Sequence, residues 1–137
     1  MSTPDAELTG RCLCGAVTFR LRGRPLRVGI CHCEDCRRTS GSTFTMFGIW
    51  PRAAYEGSGE LATFHGRSFC PVCGSRVVCL SDDEAEVMMG CVDDPPTTFA
   101  PEYELWVPRR EPWLLPVRNA KQYDRDREVS YDEMKPR

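Results

Sequence analysis

The chain has 137 residues, a length that fits one domain, and its composition, 41% hydrophobic and 28% charged, is typical of a folded protein. A formal net charge of −2 argues against broad, sequence-independent binding to nucleic acid, which needs a basic surface. The first residues, MSTPDAELTGRC, contain no apolar run and no basic leader, and no stretch reaches the about 18 apolar residues of a membrane span. We therefore expect a cytoplasmic protein with reduced thiols.

Short strands punctuated by glycine and proline are predicted along most of the chain. In AVTFRLRG, the residues Val17, Phe19 and Leu21 alternate with polar residues, which is the period-two pattern of a half-buried strand. Similar runs predict further strands at LRVGI (26–30), TFTMFGIW (43–50), LATFHG (61–66), RVVCL (76–80), EAEVMMG (84–90) and YELWV (103–107).

Two segments between these runs are predicted as turns, RRTSGS (37–42) and EGSGE (56–60), and no strong helical periodicity precedes the C-terminal part. The last residues, DRDREVSYDEMKPR, are charged and poor in apolar side chains, so they cannot build a core. We therefore predict a mainly β fold in one domain over residues 5–123, followed by a charged tail over residues 124–137.

Nine cysteines are the most informative feature of the sequence. An odd number cannot pair completely within one chain. In a reducing compartment, clustered cysteines are more often metal ligands or catalytic groups than disulfides. Two of the nine, Cys79 and Cys91, stand apart from the others, which fall into three short motifs.

The first and last of these motifs together supply four sulfurs, which is the ligand set of a closed structural zinc site. They are the C-x-C pair Cys12 and Cys14 and the C-x-x-C pair Cys70 and Cys73. A glycine after each pair lets the backbone turn its amides toward the sulfurs. The alternatives are a disulfide, free thiols, iron in place of zinc, or a redox-active C-x-x-C, although no βαβ pattern surrounds that pair.

The middle motif, CHCEDC, contains Cys31, Cys33 and Cys36. Three thiols on one short segment can take three positions around zinc and leave the fourth to water or a substrate, as in catalytic zinc sites. The competing interpretation is a closed structural site, completed by one of four residues: Cys79, Cys91, His32 or His65. On an extended segment His32 points away from the metal and has a supporting role, and Cys79 within RVVCL is most simply a buried small hydrophobe.

Two arginines, Arg37 and Arg38, follow this motif directly. A guanidinium group suits carboxylate recognition, so we expect Arg37 to bind the carboxylate of a substrate held beside the three thiols. For Arg38 a solvated position on a short turn is the simpler explanation.

Four stretches of the sequence, GRCLCGAVTF, CHCEDCRRTSG, RSFCPVCGS and GCVDDP, resemble the family of glutathione-dependent formaldehyde-activating enzymes, whose domain also occurs in centromere protein V. The resemblance implies a β-tent-like fold of twisted sheets clasped by zinc, with two zinc ions per chain. Their ligands are Cys12, Cys14, Cys70 and Cys73 at a structural site and Cys31, Cys33 and Cys36 at a second, catalytic one. The implied activity is that of a carbon–sulfur lyase that joins glutathione and formaldehyde.

Two classes of function therefore follow from the sequence. The first is a zinc-dependent enzyme that acts on the adduct of a small-molecule thiol, such as glutathione, with an aldehyde. The alternative is a non-catalytic, zinc-stapled binding module for a protein or nucleic-acid partner. The negative net charge of the chain and the three-thiol motif favour the enzyme. A homodimer is compatible with either.

Overall fold

Short strands form two sheets in the computed structural model, which describes residues 6–127. The smaller sheet has the order β1–β2–β5 and is antiparallel; its strands are β1 (Glu7–Arg11), β2 (Thr18–Arg22) and β5 (Tyr55–Ser58). The larger has the order β11–β10–β3–β4–β9–β8–β7–β6. Its strands are β3 (Arg27–Cys31), β4 (Thr45–Pro51), β6 (Ala62–Phe64), β7 (Arg67–Phe69), β8 (Arg76–Leu80), β9 (Glu84–Met88), β10 (Tyr103–Leu105) and β11 (Lys121–Gln122). Strand β10 runs parallel to both of its neighbours.

The main core lies between the two sheets because alternate residues of each strand point to opposite faces. On β4, Trp50 packs with Phe19 and Leu21 of the smaller sheet. The preceding residue, Ile49, faces the other way and belongs to a second apolar cluster with Cys31 and Tyr103. The cysteine motif that ends β3 is therefore attached to the outer face of the larger sheet.

One short α-helix, α1 (Glu34–Ser40), lies within the described residues 6–127. Its N-cap is Cys33, whose Sγ accepts a hydrogen bond from the Cys36 amide at 3.3 Å. It ends at Gly41, which has a φ of 71°. The predicted turn over residues 37–42 is therefore wrong, since most of that segment continues the helix. Seven residues are too few to show helical periodicity in a sequence.

The prediction of a mainly β fold is confirmed, and each of the predicted runs contains an observed strand. The hairpin turn predicted at EGSGE is wrong, since residues 56–58 lie in β5 and pair with β2. Strands β1, β5, β7 and β11 were not predicted. Strands β1 and β7 show no clear alternation of apolar and polar residues, β5 overlaps the predicted turn, and β11 has only two residues. The domain boundary at residue 123 remains a prediction, and residues 5 and 128–137 lie outside the described part. Within that part no helix is long and apolar enough to span a membrane.

A buried contact between a histidine and a glutamate fixes the position of the CHCEDC segment. The Nε2 atom of His32 lies 2.7 Å from Oε1 of Glu104 on β10, and each residue is only 1% exposed. The other carboxylate oxygen accepts hydrogen bonds from the Val117 amide at 2.7 Å and from Gln122 at 2.9 Å. His32 thus has the supporting role that the sequence indicates.

The same hydrogen bonds determine the ionisation of Glu104. Burial raises the pKa of the carboxyl group, but the hydrogen bonds from His32, Gln122 and the Val117 amide outweigh it and hold the pKa below its usual range. Glu104 is therefore ionised and fully paired at neutral pH, which is the condition under which a buried carboxylate is tolerated.

We predict that Glu104→Ala lowers the free energy of unfolding by about 3 kcal/mol, because removing one member of a buried pair leaves its partners unsatisfied. Urea unfolding at neutral pH measures this. Because the pKa of Glu104 is depressed, its contribution is present above the pKa of an unfolded glutamate and is lost as pH falls through the folded value. The difference from wild type should therefore narrow below about pH 4.

The control is Glu102→Ala, two residues earlier, where an exposed carboxylate is removed and a change within about 0.5 kcal/mol is expected. Equal destabilisation by the two variants would contradict the role given to the His32–Glu104 pair.

Candidate metal centres

Four cysteine sulfurs from two distant segments converge at the junction of the two sheets. The Sγ atoms of Cys12, Cys14, Cys70 and Cys73 all lie within 4.8 Å of one another. The Cys12–Cys14 and Cys14–Cys70 sulfur pairs are 3.7 and 3.8 Å apart. A tetrahedron with Zn–S bonds of about 2.3 Å has edges of about 3.8 Å, so the four sulfurs fit a zinc ion.

Backbone amides surround these sulfurs, as the glycines of the two motifs predict. The Val17 amide donates to Sγ of Cys12 at 3.3 Å, and the Val72 and Cys73 amides donate to Sγ of Cys70 at 3.4 and 3.5 Å. Such bonds stabilise thiolates, which are the metal-binding form of cysteine.

Ser75 links the two halves of this cluster and was not identified from the sequence. Its hydroxyl oxygen accepts a hydrogen bond from the Leu13 amide at 3.1 Å and lies 3.2 Å from Sγ of Cys73. The serine follows the C-x-x-C pair by two residues, and only the folded chain brings it to the C-x-C segment.

The thiols of this cluster cannot all ionise easily without a cation. Hydrogen bonds from the hydroxyl and amide of Ser75 lower the pKa of Cys73 to about 5. Despite a hydrogen bond from the Ala16 amide, desolvation and the three neighbouring thiols raise the pKa of Cys14 to about 11. Four thiolates packed this closely need a positive charge between them.

The second cluster is confined to the CHCEDC segment. Cys31 ends β3, Cys33 caps α1 and Cys36 lies in its first turn, and their Sγ atoms all lie within 4.8 Å of one another. Cys31 is buried, whereas Cys33 and Cys36 are partly exposed. The turn from strand to helix therefore gathers the three sulfurs and leaves two of them in reach of solvent.

Within the described residues this cluster consists of three cysteines that could hold a metal ion, and none of the four alternatives joins it. His32 is held by Glu104, and His65 lies on an exposed turn after β6. Cys91 donates to the Arg76 carbonyl at 3.3 Å. Cys79 accepts a hydrogen bond from the Arg76 side chain at 3.6 Å and is partly exposed, so the prediction of a buried hydrophobe is wrong there.

Polar groups around the second cluster also fit a metal. The pKa of Cys36 is lowered to about 5, chiefly by a hydrogen bond with Cys31, and the same bond raises the pKa of Cys31. Thr45 is paired with Cys31 across β3 and β4, and its buried hydroxyl is a further group that lowers the pKa of Cys36. The cluster thus holds one thiolate readily, and a cation is needed for the others.

Arg37 and Arg38 lie on the outer side of α1. Together with Glu34 and Arg109 they line a depression of about 320 Å³. Arg37 is partly buried and pairs with Glu111, with an N–O distance of 2.7 Å. The Arg38 side chain is 74% exposed and lies 3.7 Å from Glu34, as expected for a solvated residue.

Residues 7–109 match the sequence profile of one family, the glutathione-dependent formaldehyde-activating enzymes. The chain belongs to this family. A crystal structure of a Rhodobacter sphaeroides protein is similar to it, with a TM-score of 0.50 and 19% identity over 64% of this chain and 90% of that chain. At this identity the likeness shows the fold alone. No curated protein matches the chain significantly.

We predict two zinc ions per chain in anaerobically purified protein and one in Cys36→Ala, measured by elemental analysis. Cys36→Ala should keep the circular dichroism spectrum of the wild type, because its cluster joins no distant segments. Cys70→Ala should not fold stably, since a structural zinc site contributes on the order of 10 kcal/mol.

Cys79→Ala is the matched control and should retain both ions, because its sulfur lies outside both clusters. A single zinc ion in both the wild type and Cys36→Ala would show that the CHCEDC cluster is no stable metal site.

Proposed function

We propose that the chain is a zinc-dependent carbon–sulfur lyase that acts on the adduct of a glutathione-like thiol with an aldehyde such as formaldehyde. The observation that carries this proposal is the difference between the two clusters. One has four sulfurs and the other has only three, of which those of Cys33 and Cys36 are partly exposed. A closed site and an incomplete one in the same chain are typical of structural and catalytic zinc.

In this proposal Cys31, Cys33 and Cys36 hold the catalytic metal. When bound, zinc lowers the pKa of a thiol ligand and supplies positive charge for the reaction. The partial exposure of Cys33 and Cys36 lets a small thiol reach the cluster. The Thr45 hydroxyl is buried beside the cluster and helps to lower the pKa of Cys36, so it stabilises a thiolate there.

The reaction joins the thiol sulfur to the aldehyde carbon. The thiol loses its proton, a carbon–sulfur bond forms, the carbonyl double bond becomes a single bond, and the oxygen takes up a proton to give a hydroxymethyl thioether. No oxidant or reductant is required. The reverse reaction breaks the same carbon–sulfur bond, which is the chemistry of a lyase.

Arg37 is proposed to bind a carboxylate of the thiol substrate. It follows Cys36 directly, and its guanidinium already donates to one carboxylate, that of Glu111, at 2.7 Å. The depression that it lines with Arg38 and Arg109 has room for a second. A thiol that carries carboxylates, as glutathione does, would then be held by its charge while its sulfur lies at the cluster. The need for reduced thiols is in keeping with a cytoplasmic setting.

We expect Cys36→Ala to reduce adduct formation to the uncatalysed rate while leaving the four-cysteine site loaded. The rate is measured by exchange spectroscopy on ¹³C-formaldehyde and glutathione at equilibrium. Wild-type protein with two zinc ions and no rate above the uncatalysed one would refute the enzyme and favour a zinc-stapled binding module.

We expect Arg37→Met to raise the KM for glutathione about tenfold with little change in kcat, because it removes binding that is the same in ground and transition states. A neutral thiol such as 2-mercaptoethanol should show no such increase. The control is Arg22→Met, an exposed arginine on β2 of the smaller sheet. An equal effect on both thiols would contradict carboxylate recognition by Arg37.

A further inference from the structure

A buried arginine at the start of β8 lies beside the three-cysteine cluster and belongs to none of the motifs. The Arg76 side chain is only 9% exposed. Its Nη1 donates to Oγ1 of Thr39 at 2.7 Å, and its Nη2 donates to Sγ of Cys79 at 3.6 Å. Its Nε is buried and has no hydrogen-bond partner among residues 6–127.

The hydrogen bond to Thr39 places Arg76 on the side of α1 that carries a cluster sulfur. Thr39 follows Cys36 by three residues, and residues three apart lie on the same helix face. The Thr39 hydroxyl in turn lies 3.4 Å from the carbonyl oxygen of Cys36, so Arg76 reaches the cluster through a single side chain.

The carboxylate nearest to Arg76 does not fully account for this residue. Glu86, on the adjacent strand β9, approaches Nη2 of Arg76 at 3.5 Å, which is long for an ion pair. Glu86 is opposite Cys79 in the β8–β9 register, so it reaches one edge of the guanidinium only. The other edge is turned to Thr39 and α1.

The negative charge of the three thiolates suggests what Arg76 does at the three-cysteine cluster. Three thiolates exceed the charge of one zinc ion, and a thiolate substrate adds a further negative charge. A partly buried anionic centre is costly unless a cation lies near it. Arginine remains charged in such surroundings because its pKa is above about 12.

We propose that Arg76 is a positioning residue of the three-cysteine cluster, whose buried positive charge balances the thiolates and so sets the affinity of the centre for metal and for an anionic sulfur ligand. The proposal rests on the metal-binding role proposed above for Cys31, Cys33 and Cys36.

The test is the zinc affinity of the second site in the full chain, measured by competition with a chromophoric chelator while the four-cysteine site stays loaded. Arg76→Gln should weaken zinc binding about 10- to 100-fold, as other changes to groups around metal ligands do. Arg76→Lys keeps the charge and should stay within about threefold of the wild type.

The matched control is Arg27→Gln, since Arg27 pairs with Glu84 on the same sheet through two contacts of 2.9 and 3.1 Å and should leave both metal sites unchanged. Zinc binding by Arg76→Gln as tight as in the wild type would overturn the proposal. So would equal weakening by Gln and Lys, which would show that the shape of the guanidinium matters and its charge does not.

If Arg76→Gln does not fold, a second variant with the opposite expected effect on zinc affinity still tests the proposal. Glu86→Gln removes the carboxylate that partly neutralises Arg76. More of the positive charge of Arg76 then acts on the thiolates, so zinc should bind the second site several times more tightly. Weaker binding in Glu86→Gln would overturn the charge argument, and unchanged binding would do the same.

A thiol titration separates this inference from the proposed function. In cobalt-loaded protein, 2-mercaptoethanol should change the sulfur-to-cobalt absorption, and Arg76→Gln should need about tenfold more thiol than the wild type. If wild-type protein binds metal at the second site but no thiol, the proposed enzymatic function is refuted. The zinc affinities of the wild type and of the Arg76 variants still decide the role of Arg76.

Discussion

The mutual repulsion of four closely packed thiolates is the constraint on which the rest of this structure depends. Cys14 and Cys70 are 56 residues apart in sequence, yet their sulfurs lie 3.8 Å from each other. One half of the cluster lies between β1 and β2 of the smaller sheet, and the other half joins β7 to β8 of the larger. A cation at this point therefore joins the two sheets at one end of the core that Trp50 fills between them.

The three-cysteine cluster is positioned in part by the four-cysteine junction of the two sheets. The C-x-x-C turn continues through Ser75 directly into Arg76, whose side chain reaches α1 through Thr39. On the other side of the cluster, β10 brings Glu104 to His32. The CHCEDC segment and the helix after it are thus contacted from two sides, by Glu104 of β10 through His32 and by Arg76 of β8 through Thr39.

The grouping of the cysteines into two clusters and most strands were predictable because their signals are local: cysteine spacing, alternation and the glycines of the turns. Arg76, Glu104 and Thr45 were not predictable, since each acts through a partner that only strand pairing supplies. Thr45 is opposite Cys31 because of the β3–β4 register, and Glu104 meets His32 because β10 is parallel to β3. Helix α1 escaped prediction for a different reason, because a sulfur caps it and its seven residues are too few for a pattern.

The capping of α1 by Cys33 has a consequence for communication across the molecule. A helix of seven residues is marginal in isolation, so its order depends on what holds its ends. The sulfur that accepts the Cys36 amide is also a member of the metal cluster. Metal binding at the cluster would therefore favour the helix, and the helix would favour metal binding by the same factor. The effect would be confined to these seven residues, too few to alter the circular dichroism of a mainly β protein. Because Arg37 and Arg38 lie on α1, their positions at the surface would then depend on whether the three sulfurs hold a metal ion.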